Sequence, residues 1–360
     1  MDFNEITVKH VRTLKPYQSA RRIGGHGHNF LNANESPKSE GYFINSSSFN
    51  RYPDCQPEGL IERFADYVNM HKEQVIATRG SDEALGLIVR TFVESDGSEG
   101  VLIAPPTYGM YEVAARTNNV QVAYAKRHED FSLDADLLLE AVKDTPFKVK
   151  AIFIDSPANP LGIVFKKEEL LKLLTALPET LIVLDEAYVE FARKEDDYIS
   201  LVNEYDNLIV TRTLSKAFAL AGIRCGFAVA NPQIIKTMLK VIDPYPICDP
   251  VAQIAVQALT DHGVHMTYAR VMDCNRRREQ LEVELNALPI VEKVFASLGN
   301  FLLVKFKDGP AVFDFMAKRG VILRSFEDKP GLKNCIRISI GSNEELDELM
   351  RGLTAFVEQY

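Results

Sequence analysis

The chain has 360 residues, with 41 Lys and Arg against 50 Asp and Glu, a formal net charge of −9, and 46% hydrophobic and 25% charged residues. That composition excludes a disordered chain, a collagen-like repeat and a disulfide scaffold, and at roughly 150 residues per domain the length suggests about two domains. The acidic balance also argues against general affinity for nucleic acid or anionic membrane, so any basic site must be local.

Met1–Phe30 carries charges throughout and lacks the apolar run of a signal peptide, and no later stretch approaches the roughly 18 apolar residues of a membrane span. A cytoplasmic protein is expected. Beyond this polar arm, strand-like Gln74–Thr78 and helical Asp82–Phe92 are followed by Val101–Ala104, Tyr111–Thr117, Val120–Ala125, Ala151–Asp155, Glu168–Leu177, Leu181–Leu184 and Asn207–Thr211. Strand-like runs alternating with helical patterns signal βαβ units and a parallel sheet. Ala151–Ile154 and Leu181–Leu184 are continuously apolar, as strands covered by helices on both faces should be. Between them, Leu170, Leu171, Leu174 and Leu177 form the one-sided stripe of a packed helix.

Pro244, Pro246 and Pro250 interrupt this pattern, and a domain boundary is expected there. A long charged helix over Arg270–Leu288 then leads to strand-like Asn300–Phe306, helix-like Ala311–Arg319, strands Val321–Arg324 and Cys335–Ser339, and a final helix from Asn343. This second part reads as a smaller α+β unit. Cys55, Cys225, Cys248, Cys274 and Cys335 are odd in number with no C-x-x-C pair, so reduced cysteines and no metal site are expected.

Ligands of open α/β sheets sit at the carboxyl ends of the strands, so the residues after the apolar runs carry the functional reading. Leu181–Leu184 leads into Asp185-Glu186-Ala187-Tyr188. Such an Asp suits either the magnesium site of a nucleotide hydrolase or the ring nitrogen of pyridoxal phosphate. The first needs a phosphate loop with Gly-Lys, and no Gly-Lys dipeptide occurs in the chain. The second needs a Schiff-base lysine. Lys216 follows Asn207–Thr211 within Thr213-Leu214-Ser215-Lys216-Ala217-Phe218, flanked by hydroxyls and small or apolar residues. Burial of such an ammonium lowers its pKa toward the nucleophilic amine. Arg224, eight residues on, is placed to return to an anion bound by Thr213 and Ser215.

In Arg79-Gly80-Ser81-Asp82-Glu83 a strand ends, a Gly turns, and a Ser/Asp pair caps a helix whose free N–H groups suit a phosphate. Asp155-Ser156-Pro157-Ala158-Asn159-Pro160-Leu161-Gly162 offers the Asn159 amide at the same edge, and Pro105-Pro106-Thr107-Tyr108-Gly109 offers Tyr108 to lie flat on a ring.

These motifs, in order and spacing, resemble the fold type I, aspartate-aminotransferase-like pyridoxal-phosphate enzymes. Lys15-Pro16-Tyr17-Gln18, Leu31-Asn32-Ala33-Asn34-Glu35, Asn50-Arg51-Tyr52-Pro53-Asp54, the Lys216 segment and Gly222-Ile223-Arg224-Cys225-Gly226-Phe227 are similar to the histidinol-phosphate aminotransferase family over nearly the whole chain. The resemblance implies an α/β fold with a large domain, a mixed, mostly parallel sheet between helices, plus a smaller α+β domain. The bounds expected are 1–45 for an arm joining the small domain, 46–249 for the large cofactor-binding domain and 250–360 for the small one.

It further implies that Lys216 binds the cofactor covalently, Asp185 pairs with its pyridine nitrogen, Tyr188 and Asn159 bond its ring 3-oxygen, and Tyr108 stacks on it. Ser81, Asp82 and Glu83 with their helix N-terminus, Thr213, Ser215 and Arg224 would hold its phosphate, with Tyr52 from a neighbouring subunit, hence a homodimer. Arg324, Arg337 and Tyr17 match the substrate-anion residues. The activity implied is ping-pong transamination between L-histidinol phosphate and 2-oxoglutarate in histidine biosynthesis. The rivals are an aromatic or broad-specificity aminotransferase or threonine-phosphate decarboxylase of the same fold; a cofactor-dependent transcription regulator needs a DNA-binding module for which no residues remain. Two departures stand out. Ala158 and Leu161 replace the first Asn and the Thr of the family's Asn-Asn-Pro-Thr-Gly, and Ser81 stands where many relatives have Ala.

Overall fold

The strands of the larger sheet follow the expected alternation, with one addition that proves important for the site. The computed structural model describes residues 3–16 and 26–359. Strands β1 (Asn29–Phe30), β2 (Val75–Thr78), β3 (Glu99–Ile103), β4 (Gln121–Tyr124), β5 (Lys148–Asp155), β6 (Leu181–Asp185), β7 (Leu208–Thr213) and β8 (Gly226–Ala230) are joined in the C-terminal part by β9 (Val291–Phe295), β10 (Phe301–Phe306), β11 (Val321–Ile322), β12 (Arg324–Ser325) and β13 (Cys335–Ser339). The larger sheet has the order β2-β8-β7-β6-β5-β3-β4. All its pairings are parallel except those of β8, which runs antiparallel to both β2 and β7. The Gly226–Ala230 strand was not among the expected elements, because a five-residue apolar run has no period that separates strand from helix.

Alternation along the strands assigns each side chain to a face. Ile152, Ile154, Ile182, Leu184, Leu208 and Val210 face the core shared with the helices Glu58–Val68, Ala135–Asp144 and Lys167–Ala176. Phe153, Val183 and Ile209 face the opposite core, with the helices Gly80–Phe92, Met110–Thr117 and Pro232–Met238. The Lys167–Ala176 helix buries Leu170, Leu173 and Leu174, so Leu173 takes a core place that the expected stripe had given to Leu171. Asp155, Asp185, Thr211 and Thr213 continue the second face past the ends of the apolar runs. Glu186 and Arg212 continue the first.

The smaller sheet has the order β12-β13-β10-β9, all antiparallel. The expected strand Val321–Arg324 divides between two sheets: β11 pairs in parallel with β1, whereas β12 pairs with β13. The N-terminal strand therefore lies beside residues nearly three hundred positions later. The helix Asp261–Asn286 begins nine residues before the expected Arg270, with the Thr260 hydroxyl accepting from Gly263 N at 3.2 Å as its cap. Pro250 lies in the first turn of the preceding helix, Asp249–Ala258, where its missing N–H costs nothing. That helix packs on Glu58–Val68, so the passage between the two sheets is spread over two helices. Cys225, Cys274 and Cys335 are buried, and no cysteine of the described residues is paired.

Candidate active site

Strands β3, β5, β6 and β7 end at a cavity of about 890 Å³ that is closed on its other side by β12, β13 and the segment around Ala33. Ser81, Asp82, Tyr108, Asn159, Asp185 and Tyr188 line it, as do Thr213, Ser215, Lys216, Arg224, Arg324 and Arg337. Two of the expected residues do not. The Glu83 carboxylate is taken up by Arg79, accepting from its backbone N at 2.6 Å and from its guanidinium. Tyr52 is 80% exposed and stacks on Tyr245 with ring centroids 4.5 Å apart. Tyr17 lies outside the described residues.

Lys216 owes its place to the antiparallel return of β8. The loop between β7 and β8 is closed by Leu214 N donating to the Cys225 carbonyl at 3.1 Å, which brings Lys216 and Arg224 to the same strand end. The Lys216 amine donates to the Ala33 carbonyl at 3.0 Å and lies 5.6 Å from the centre of the Tyr188 ring. Loss of hydration, and then the Arg337 guanidinium, lower its pKa from 10.5 to about 8.

Asp185 accepts from the Thr211 hydroxyl and the Tyr111 phenol, each at 2.9 Å. Both donors are neutral, and burial lifts its pKa to about 7 from 3.8, with Asp155 and Asp82 adding to the rise. Tyr188 accepts from Asn34 Nδ2 at 3.0 Å, and burial pushes its phenol up to about 12. Asn34 holds this pose with φ at 53°, a conformation that Asn adopts more readily than most residues.

The anion cradle is made of donors already turned toward one point. Thr213 Oγ1 donates to Ser215 Oγ at 2.9 Å, and Arg224 Nη1 reaches the same oxygen at 3.3 Å. Gly80 opens the neighbouring helix with φ at +71°, and a Cβ there would stand 2.6 Å from Arg224 Nη2. Ser81 and Asp82 lie inside the first turn and do not cap it; Arg79 takes the cap position, and its side chain makes no capping hydrogen bond. The Asp82 carboxylate instead accepts from Tyr108 Oη at 2.8 Å and from Arg224 Nη2 at 3.1 Å. Its negative charge suits holding those two side chains, and only its backbone N–H suits a phosphate.

Arg324 and Arg337 stand directly opposite one another on β12 and β13. Arg337 is 5% exposed and donates to the Asn159 side-chain oxygen and to the Asn32 carbonyl at 2.7 Å. Arg324 Nη1 is buried with no hydrogen-bond partner among the described residues. Both guanidinium groups lie 5.7 Å from the centre of the Phe326 ring, and two like charges gathered at one cavity wall suit an anion.

The sequence reading missed Thr211, Tyr111 and Asn34 as supporting groups. Thr211 was detectable, since period-two alternation puts it on the Thr213 face of β7; Tyr111, one helical turn after Tyr108, carried a weaker signal. Also missed was the buried cluster behind the strands, where Arg212 meets Glu186 at 2.7 Å, Asp197 at 2.7 Å and Glu190 at 3.5 Å. It ties the exit of β6 to the end of β7 from the face opposite Asp185. The departures at Ala158 and Leu161 are explained too: both are buried against Leu303, Leu332 and Cys335, so the Asn159 loop is braced by apolar contact with the smaller sheet.

Residues 30–353 match the family model described as aminotransferase class I and II. A curated relative, histidinol-phosphate aminotransferase of Aeromonas salmonicida strain A449, is 46% identical over 355 residues, 97% of either chain. The crystal structure of histidinol-phosphate aminotransferase from Sinorhizobium meliloti in complex with pyridoxal-5′-phosphate superimposes with a TM-score of 0.87 at 23% identity, covering 98% of both chains. A Thermus thermophilus aspartate aminotransferase mutant matches at a TM-score of 0.78 and 22% identity, covering 98% of this chain and 99% of that one.

Proposed function

The chain belongs to the aminotransferase class I and II family, and from that premise we propose that it transfers an amino group between L-histidinol phosphate and 2-oxoglutarate. The products are imidazole-acetol phosphate and glutamate, the step belongs to histidine biosynthesis, and the cofactor is pyridoxal 5′-phosphate. One observation carries the reading: a lysine amine with a pKa near 8 shares a cavity with a buried carboxylate whose hydrogen-bond partners among the described residues are neutral. A protonated pyridine nitrogen is the cation Asp185 lacks, and the Thr213, Ser215 and Arg224 donors suit a phosphate, so the residues present fit the group.

When bound, the cofactor supplies an electron-accepting ring that stabilises negative charge at the substrate's α-carbon. Asp185 would keep the ring nitrogen protonated, and Thr211 and Tyr111 hold that carboxylate in place. Tyr188 and Asn159 would bond the ring 3-oxygen, and Tyr108 would cover one face. Ser215, Thr213, Arg224 and the first turn of the Gly80–Phe92 helix would hold the phosphate. Lys216 would hold the cofactor, and its free amine would take the proton from the substrate's α-carbon, a role suited to an amine titrating near neutral pH. Arg324 and Arg337, with Tyr17 from the arm, would orient the anionic end of either substrate. An amino donor and an oxo acceptor that use one site in turn give ping-pong kinetics.

A homodimer completes this reading. Gln253 and Gln257 hold the backbone of Phe43 and Asn45 by paired hydrogen bonds of 2.7 to 3.0 Å, yet Phe43 is 90% exposed and Tyr52 80%. An arm fixed in place with its aromatic rings turned outward suits a covered interface, from which Tyr52 would reach the partner's phosphate site. We assign the arm 1–45 and residues 250–360 to the small domain and 46–249 to the large one, supported by the pairing of β1 with β11. No helix of the described residues is long and apolar enough to cross a membrane, and the proposed location is the cytoplasm.

Half-reaction spectroscopy tests the substrate. Histidinol phosphate should convert the cofactor band with higher efficiency than phenylalanine or aspartate; a preference for phenylalanine would overturn the substrate and leave the family standing.

A further inference from the structure

Asp185 is not the only carboxylate at this edge of the sheet. Asp155 ends β5 directly beside it, in register on the neighbouring parallel strand, and is 4% exposed. Two acids abreast in a buried place oppose each other's ionisation, so the second needs a reason of its own.

Its hydrogen bonds supply one. Asp155 Oδ1 accepts from the Thr107 hydroxyl at 2.8 Å, while Oδ2 accepts from the backbone N–H of Tyr108 at 3.2 Å and of Asn159 at 2.8 Å. Arg127, whose side chain is 5% exposed, comes within 3.8 Å of Oδ1. Its Nε donates to the Ala104 carbonyl at 2.8 Å and its Nη1 to the Phe131 carbonyl at 3.2 Å. The turn after β3 is thus gripped at Ala104 by Arg127 and at Thr107 and Tyr108 by Asp155, and the same carboxylate fixes the turn after β5 at Asn159. Tyr108 and Asn159 are the residues proposed to meet the ring face and its 3-oxygen. The loop that carries Asn159 lacks the family's usual polar side chains at Ala158 and Leu161; Ser156 still braces it by accepting from Phe165 N at 3.0 Å, and Asp155 is the polar group that reaches both this turn and the one after β3.

We infer that Asp155 is a positioning residue, a buried carboxylate that sets Tyr108 and Asn159 relative to one another across the cofactor site. The inference rests on the cofactor reading above. It is tested with Asp155→Ala, Asp155→Asn and Thr107→Val, measuring thermal unfolding of the cofactor-free proteins, the cofactor dissociation constant, and circular dichroism in the cofactor's absorption band.

Asp155→Ala should weaken cofactor binding by about tenfold or more and lose most of the cofactor dichroism. Asp155→Asn should stay within about threefold of the parent, because its amide oxygen still accepts both N–H groups and the Thr107 hydroxyl can turn to accept from the amide. Thr107→Val should move both readouts in the direction of Asp155→Ala, by less. Undiminished binding and dichroism in Asp155→Ala overturn the inference, as does an Asp155→Asn variant as impaired as Asp155→Ala, which would make charge the operative property. Should Asp155→Ala fail to fold, unchanged dichroism in Thr107→Val overturns it equally. A parent protein that takes up no cofactor removes the reading beneath, and this inference with it.

Discussion

Replacing Asp185 by Asn should move the cofactor-free and cofactor-loaded proteins in opposite directions. Burial lifts this carboxyl from 3.8 to about 7, and among the described residues its hydrogen bonds come from Thr211 and Tyr111. A group whose pKa is raised by folding contributes stability below its unfolded value and loses it as pH rises through the folded value. Ionised Asp185 therefore costs the cofactor-free fold roughly 4 kcal/mol above pH 7, at about 1.4 kcal/mol per tenfold. Asn has nearly the same volume and no charge, and reversing one hydroxyl hydrogen bond takes back about 1 kcal/mol. The net gain expected at pH 8 is roughly 2 to 3 kcal/mol. The assay is urea unfolding of both cofactor-free proteins from pH 4 to pH 8, where the parent should lose stability relative to the variant across the window. With cofactor present the order reverses, since the ring nitrogen's proton has lost its anion and the dissociation constant rises. Parallel pH profiles, or a cofactor-free variant less stable than the parent at pH 8, would refute the electrostatic reasoning.

Lys216→Ala should abolish the borohydride-trappable cofactor adduct, and an adduct persisting at another lysine would remove Lys216 from its role. In the parent, the rate of adduct formation should rise with pH to a midpoint near 8. About a tenth of the amine is then free at pH 7, against about 0.03% for a lysine at 10.5. Arg324→Met should raise KM for the phosphate-bearing substrate by about ten- to a hundredfold with a smaller change in kcat, because it removes one charged contact made in ground and transition states alike; an unchanged KM takes Arg324 out of substrate binding. Phe43→Glu should shift sedimentation at micromolar protein toward the monomer and weaken cofactor binding together, and a parent chain that sediments as a monomer contradicts the proposed interface.

Much of the site was legible because strand ends are. Four apolar runs followed by Asp155, Asp185, Tyr108 and the Thr213–Lys216 segment are local patterns, and a parallel sheet brings such ends to one edge whatever the loops do. Antiparallel β8 was not legible, since nothing within Gly226–Ala230 specifies its direction. Yet it is this return that brings Arg224 back to Ser215. Nor did the sequence announce that Arg324 and Arg337 face each other, because register across β12 and β13 is set by the packing of both strands. The reading of Gly80 as the turn and of Ser81 and Asp82 as caps followed a sound local rule, but the helix already begins at Gly80 with Arg79 at its cap, where β8 passes so closely that a Cβ on Gly226 would stand 2.4 Å from Ser81 N.

The sequence by itself determined the chemical inventory: one lysine among hydroxyls, an acid at the end of a buried strand, an anion cradle and a pair of distant arginines, in the order of a known family. Tertiary structure alone decided the state in which those groups exist. Lys216 near 8, Asp185 near 7 and Tyr188 near 12 are consequences of water excluded by residues from Ala33 to Arg337, and of which charges lie beside which. Hydration and Coulomb interactions are summed over space, so a group's neighbours in sequence contribute only a few of the atoms that set its pKa.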